Sequence, residues 1–268
     1  MCRFLASSGH GRRRHSFVPN LRLPSNIVLR AATAVLAGVA IASRAEAPDY
    51  VFEPYGEQGV RVAQFSASVE KLKDGSSEQA QSLAVGGTPT ERWFTAAYAA
   101  WYRDAGEKLR FDNIYLVNHL ALAPAGAWPL DVGAYLEIQR PQDRSEGYAF
   151  LWGPTFQFDT SSLQVNANVW LQRTIHAENA SPTVLVYQWQ AKGLVGPHLE
   201  LGAQSFGTLG PWLRWLPAHE QEHNIGPAAF AKWRLNDGRV LRADAAVLAG
   251  ITTESPRITL RIRTQLEF

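Results

Sequence analysis

The chain has 268 residues, with 26 lysines and arginines against 24 aspartates and glutamates, a formal net charge of +2. Residues 1–47 hold seven arginines and one glutamate, so the other 221 residues carry 19 basic and 23 acidic side chains, a net charge of −4. This excludes the basic surface of a nucleic-acid-binding domain, and we expect no nucleic acid partner. The only cysteine, Cys2, also lies in residues 1–47, so the remainder can form no internal disulfide and no thiolate metal site.

Residues 1–47 have the pattern of a signal peptide. Several arginines, among them Arg22 and Arg30, precede an apolar run at residues 31–42, and Ala45-Glu46-Ala47 provides a cleavage site. The run is shorter than the roughly 18 residues that a membrane-spanning helix needs. We therefore predict a leader at residues 1–47, a periplasmic N-terminal extension at 48–58 and one β-domain at 59–268.

The β-domain shows apolar and polar residues in alternation, which is typical of strands with two different faces. In residues 163–172 (LQVNANVWLQ), a row of Gln and Asn stands opposite an apolar row, an arrangement that few soluble cores would contain. A turn at Asn236-Asp237-Gly238 is a typical hairpin signal. The predicted strands are residues 59–71, 78–85, 92–103, 109–122, 130–139, 148–158, 163–172, 183–192, 198–204, 224–235, 239–251 and 257–268.

The last predicted strand, RITLRIRTQLEF, alternates up to its final residue, Phe268. An even number of strands, with short turns near residues 87, 125, 160, 195 and 237 and longer loops at 140–147, 176–182 and 205–223, is typical of bacterial barrels. We therefore predict an all-β fold, a single transmembrane antiparallel up-and-down β-barrel of about 12 strands, in contact with the lipid of a Gram-negative outer membrane. A secreted soluble β-protein is the alternative.

The closing strand also resembles the C-terminal assembly signal of Gram-negative outer-membrane barrels, through Leu266 and the terminal Phe268. This resemblance implies that the barrel assembly machinery of the outer membrane is a partner. A wider resemblance covers residues 225–268, with an Ile-Gly-Pro strand, a hairpin and a Gly-Ile-Thr to Ser-Pro turn, and residues 130–138 (LDVGAYLEI). It is to a family of proteobacterial outer-membrane β-barrel proteins with porin-like, transporter and metal-resistance descriptions. It implies location and fold and brings no catalytic residue.

Residues 219–223 spell H-E-x-x-H, a pattern that binds zinc when it lies on a helix. Pro217 and Pro227 leave little room for such a helix, and Ala229 occupies the place of a third histidine. A solvated outer loop is the preferred interpretation, and an adventitious metal site at His219 and His223 is the alternative. No histidine after residue 47 has a serine two residues later, so the sequence does not support a lipid-hydrolase site on one strand, although a serine and a histidine could still meet in space. We predict no enzyme activity and no cofactor.

The alternation also predicts which side chains line the lumen. The predicted set is Asp131, Tyr135, Glu137, Lys192, His198, Glu200, Lys232, Arg234, Arg242, Asp244, Arg261 and Arg263. Trp170 is expected to face inward as well, where it could stack on a sugar. One interpretation is a porin-like channel for small hydrophilic solutes, with excess positive charge that favours anions. The other is a closed barrel, structural or lipid-modifying, filled by ion pairs.

Overall fold

The computed structural model describes residues 50–53 and 58–268. Twelve antiparallel strands form a closed barrel in this part of the chain, which confirms the predicted fold. The leader at residues 1–47 lies outside the described residues. The strands are β1 (Arg61–Lys71), β2 (Ser77–Thr90), β3 (Trp93–Arg103), β4 (Arg110–Ala121), β5 (Asp131–Pro141), β6 (Tyr148–Asp159), β7 (Leu163–Ile175), β8 (Val184–Gly196), β9 (Leu199–Pro211), β10 (Glu222–Arg234), β11 (Val240–Gly250) and β12 (Ile258–Glu267).

Each strand pairs with its neighbours in the sequence, and β1 pairs with β12 to close the barrel. The closing register runs from Val62 opposite Glu267 to Lys71 opposite Ile258. Phe268 extends the pairing, because its N–H and carbonyl both bond to the main chain of Arg61 at 2.9 Å. Closure leaves no strand edge with unpaired peptide groups, as a hydrocarbon environment requires. Within the described ranges, no helix is long and apolar enough to cross a membrane.

The two faces of the wall have opposite chemistry. Large apolar side chains point outward and are exposed, for example Leu83, Val85 and Val247. The side chains of Asn166 and Gln190 point inward and are fully buried. Because side chains alternate along a strand, this is the apolar-out, polar-in arrangement of a membrane barrel rather than that of a soluble sheet.

The connections at one end of the barrel are mostly shorter than those at the other end. We call the end that holds residue 61 and Phe268 the terminal end; its connections are residues 91–92, 122–130, 160–162, 197–198 and 235–239. The opposite end, the loop end, has connections at residues 72–76, 104–109, 142–147, 176–183, 212–221 and 251–257. The predicted 205–223 loop is shorter than expected because β9 continues to Pro211 and β10 starts at Glu222.

Two loop-end turns are held by an aspartate side chain. Asp74 accepts hydrogen bonds from the hydroxyl and main-chain N–H of Ser76, at 2.6 and 2.8 Å. Asp143 does the same with Ser145, at 2.7 and 2.9 Å. In both turns, the hydrogen bonds from the serine lower the pKa of the aspartate carboxyl. These turns therefore keep their charge and stay in water.

Candidate functional site in the barrel lumen

Residues Tyr50–Glu53, which we call the lumen segment, lie inside the barrel. The main-chain N–H of Phe52 donates to Gln188 Oε1 at 2.7 Å, and Asn168 Nδ2 donates to the Phe52 carbonyl at 3.1 Å. Asn168 also donates to Gln188 Oε1 at 2.9 Å, so two inward amides on β7 and β8 hold the main-chain N–H and carbonyl of Phe52. Of the residues predicted as a periplasmic N-terminal extension, 48–58, the four of the lumen segment lie within the barrel. The polar lumen supplies the hydrogen bonds that the segment would otherwise make with water.

The Phe52 ring occupies an aromatic socket on one side of the lumen. Its centroid lies 4.9 Å from that of His119, 5.2 Å from Tyr135 and 5.7 Å from Phe94. His119 is placed by Nε2, which bonds to Thr155 Oγ1 at 2.8 Å. A side chain at the neighbouring Gly133 would collide with both groups of that bond. Gly133 is therefore required for the socket.

The two residues before Phe52, Val51 and Tyr50, attach the segment to other parts of the wall. Val51 packs in a separate buried cluster, with Phe206, Ala228, Phe230, Ala246 and Leu248 of β9 to β11. The Tyr50 hydroxyl lies 2.7 Å from that of Tyr98 on β3. The guanidinium of Arg263 on β12 lies 4.7 Å from the centre of the Tyr50 ring. Contacts on β3 to β8 and on β9 to β12 together show that the segment spans the lumen.

Glu53 ends the described segment in an ion pair. Its carboxylate lies 2.6 Å from Lys192 Nζ and accepts a hydrogen bond from Gln190 Nε2 at 2.9 Å. Gln190 also donates to Asn166 Oδ1 at 3.0 Å and accepts from Gln204 Nε2 at 2.9 Å. The polar row on β7 to β9 therefore continues from the wall into the segment. Such a network is stable only when its members are satisfied, so loss of Glu53 would disturb several of them.

A second polar cluster lies on β11 and β12. Asp244 binds two arginines, Arg261 through a close ion pair and Arg263 Nε at 2.6 Å. One carboxylate thus serves two guanidiniums. Arg242 pairs instead with Glu267 on β12. Arg261 and Asp244 are almost fully buried, so they belong to the packed part of the lumen rather than to an open passage.

Two cavities lie on opposite sides of the lumen segment, and Tyr50 and Phe52 line both of them. The terminal-side cavity measures about 200 Å³ and is lined by four basic and two acidic side chains. The loop-side cavity measures about 80 Å³ and is lined by two acidic side chains, Glu137 and Glu222. The charged lining of the first consists of Glu53, Lys232, Arg234, Arg242, Arg263 and Glu267. The segment thus separates a basic cavity from one that contains a buried carboxylate.

The predicted lumen residues fall into three groups by location. Buried and inward-facing are Asp131, Tyr135, Glu137, Lys192, Asp244 and Arg261. Partly buried and inward-facing are Glu200, Arg242 and Arg263. Lys232 and Arg234 are exposed but line the terminal-side cavity. His198 differs, because it lies in the connection at residues 197–198, exposed, with Nδ1 3.1 Å from the Lys232 carbonyl.

The H-E-x-x-H residues do not form a metal site in the structure. His219 is exposed, with Nε2 3.4 Å from Glu220. His223 lies on β10, and its two ring nitrogens bond to the Tyr187 hydroxyl and to Gln221 Oε1, both at 2.8 Å. Across residues 50–53 and 58–268, no group of three or more potential metal ligands converges. The pattern is interrupted because β10 starts at Glu222, so the two histidines belong to different elements.

Comparison with known proteins supports the architecture. No protein-family model matches the chain, and no curated protein matches it significantly. Among solved structures, an outer membrane channel from Pseudomonas putida F1 aligns with a TM-score of 0.57 and 13% identity, covering 83% of this chain and 99% of that one. The NanC porin aligns with a TM-score of 0.51 and 8% identity, covering 78% of this chain and 98% of that one. The chain therefore has the fold of outer-membrane β-barrels.

Proposed function

We propose that the protein is a porin-like channel for small hydrophilic solutes in the outer membrane of a Gram-negative bacterium, and that the lumen segment closes it. The observation that carries the proposal is the pair of polar cavities that share Tyr50 and Phe52 as a common wall. Because the segment lies across the lumen between them, its departure would join the two cavities. A barrel whose role was only structural would have no need of two water-accessible cavities separated by a short segment.

Two features support the proposed location in the outer membrane, namely the apolar outer surface of the barrel and the closing strand β12. The exposed outward side chains are apolar, and the two similar structures are described as a porin and an outer membrane channel. Phe268 is exposed at the terminal end, where its main chain completes the β1–β12 pairing. This placement leaves the Phe268 ring accessible to the barrel assembly machinery, as does the position of Leu266 on the outward face of β12.

The charge of the terminal-side cavity favours anions. Lys232 and Arg234 are exposed, and no ion pair of the described residues involves either of them. Arg242 and Arg263 also line this cavity, but each is paired with a carboxylate, Glu267 and Asp244 respectively, so the excess positive charge is that of Lys232 and Arg234. A confined region with excess positive charge attracts anions and repels cations. We therefore infer that the open channel passes small anions more readily than cations.

Reversal potentials in planar bilayers test this inference. In a KCl gradient the wild-type channel should prefer chloride, and the double variant K232E/R234E should lose or invert that preference. Both residues are exposed, so assembly should be unaffected. R92E is the control, because Arg92 is equally exposed at the terminal end but lies in the connection at residues 91–92, outside the cavity lining. A preference that K232E/R234E leaves unchanged would exclude these residues as the selectivity determinant.

A further inference from the structure

We propose that the loop-side cavity is a binding site for a small organic cation, namely a primary amine that also carries a hydroxyl oxygen. The site is lined by residues of β4 to β10, most of them on β5, β8 and β9, with Tyr50 and Phe52 as one wall. It needs no open channel, so the inference goes beyond the proposed passage of solutes and does not depend on it.

Two carboxylates line the site, Glu137 and the partly buried Glu222, and Glu137 is the one that provides a buried negative charge. This side chain is 7% exposed and accepts hydrogen bonds from the Tyr135 hydroxyl and from Gln139 Nε2, the latter at 2.6 Å. Both donors are neutral, and no ion pair of the described residues involves Glu137. A buried carboxylate without a cation is costly. A cation that enters the cavity would offset that cost.

Three buried polar atoms in the residues that line this cavity have no hydrogen-bond partner in the structure: Gln139 Oε1, Asn224 Oδ1 and Trp170 Nε1. Their residues are 2%, 6% and 5% exposed. The orientation of both amides is fixed, because Gln139 Nε2 donates to Glu137 and Asn224 Nδ2 donates to Glu222 at 3.1 Å. The unsatisfied atoms are therefore two acceptors and one donor, and buried polar groups are normally satisfied.

An alkylammonium group matches this set of atoms. It has three N–H donors and no acceptor, and the site offers the Glu137 carboxylate and two amide oxygens. The indole N–H of Trp170 needs an acceptor, which a hydroxyl oxygen on the same ligand would supply. Trp170 stacks on Tyr135 with ring centroids 4.1 Å apart, and aromatic faces attract cations. The volume of about 80 Å³ limits the ligand to a few heavy atoms.

Isothermal titration of the full mature protein in detergent tests the proposal with three probes of similar size. Ethanolamine is the cation, ethylene glycol its neutral counterpart and glycolate its anionic counterpart. Ethanolamine should bind saturably, with one site per chain and at least about tenfold more tightly than ethylene glycol, because hydrogen bonds to charged groups are the stronger ones. Glycolate should not bind. Equal binding of ethanolamine and ethylene glycol, or no ethanolamine binding, would overturn the proposal.

A pair of variants assigns the binding to this cavity. Glu137→Gln should weaken ethanolamine binding at least about tenfold, since it removes the buried negative charge of the site. Asp131→Asn is the matched control: Asp131 is another buried, inward carboxylate of β5, but it bonds to the Gly126 N–H at 2.9 Å near the terminal end. Its affinity should equal that of the wild type. Equal weakening in both variants would place the ligand elsewhere. If Glu137→Gln does not fold, Asn224→Ala replaces it, and there too the affinity should fall.

The outcome is separable from that of the channel proposal. A protein that binds ethanolamine in detergent but shows no conductance in bilayers, even when Phe52→Ala releases the lumen segment, would keep this inference and contradict the proposed function. A protein that conducts but binds no ethanolamine would keep the proposed function and contradict this inference.

Discussion

Replacing Phe52 by alanine should open the channel by releasing the lumen segment. The Phe52 side chain is 5% exposed and contacts the rings of Phe94, His119 and Tyr135. Truncation of a buried phenylalanine to alanine typically costs about 3 kcal/mol or more. Because 1.4 kcal/mol is a tenfold change in an equilibrium, F52A should shift the balance toward the released segment by about two orders of magnitude. The barrel wall itself is unchanged, so assembly should persist.

Single-channel recording in planar bilayers measures this effect as an increase in open probability. The matched control is F65A, which makes the same truncation on the exposed outer face of β1 and should leave gating unchanged. A second readout uses the absence of cysteine after residue 47. A cysteine in place of Val51, a residue 1% exposed, should react slowly with a thiol reagent, and much faster when F52A is also present. Unchanged open probability together with unchanged labelling would refute the closing role of the segment.

Two further predictions concern stability and assembly. Asp244→Asn should lower the temperature at which the folded band is lost in heat-modifiability gels. The reason is that it leaves two guanidiniums without their carboxylate, at a cost of roughly 3–5 kcal/mol. Asp237→Asn, at an exposed position, is the control, and an equal temperature shift in both variants would contradict the pairing argument. Deletion of Phe268 should reduce the amount of folded barrel in the outer membrane much more than Glu267→Gln does, and equal effects of the two changes would argue against recognition of the terminal ring.

Alternation was sufficient to predict the wall. Residues 163–172 and 257–268 keep a period of two without interruption, so the predicted strands coincide closely with β7 and β12, and Trp170 faces inward as expected. The prediction was poor where glycines interrupt the pattern. Strand nine was expected to end at residue 204, whereas β9 continues through Gly207 and Gly210 to Pro211. A glycine has no side chain to mark a face, so the alternation is lost although the main-chain pairing continues.

The lumen segment could not be predicted in the same way. Residues 48–57 contain two prolines and no period, which is typical of an extension. Their partners are far away in the sequence, as Phe52 bonds to Gln188, 136 residues later. The sequence does contain the features that the contacts use, namely an apolar Tyr50–Phe52 run beside Glu53 and inward faces rich in Asn and Gln. Only the closed barrel shows that the run fits the cross-section of the lumen.

The lumen segment also links the two proposed properties. Tyr50 and Phe52 form one wall of the loop-side cavity, so a ligand bound there contacts the segment only while the segment is docked. A ligand shifts an equilibrium by the difference in its affinity for the two states. A cation held by Glu137 would therefore favour the closed channel, whereas the basic residues that attract anions lie on the other side of the segment. Closure by a bound cation would thus act from one side of the lumen segment, and selection of anions would act from the other side.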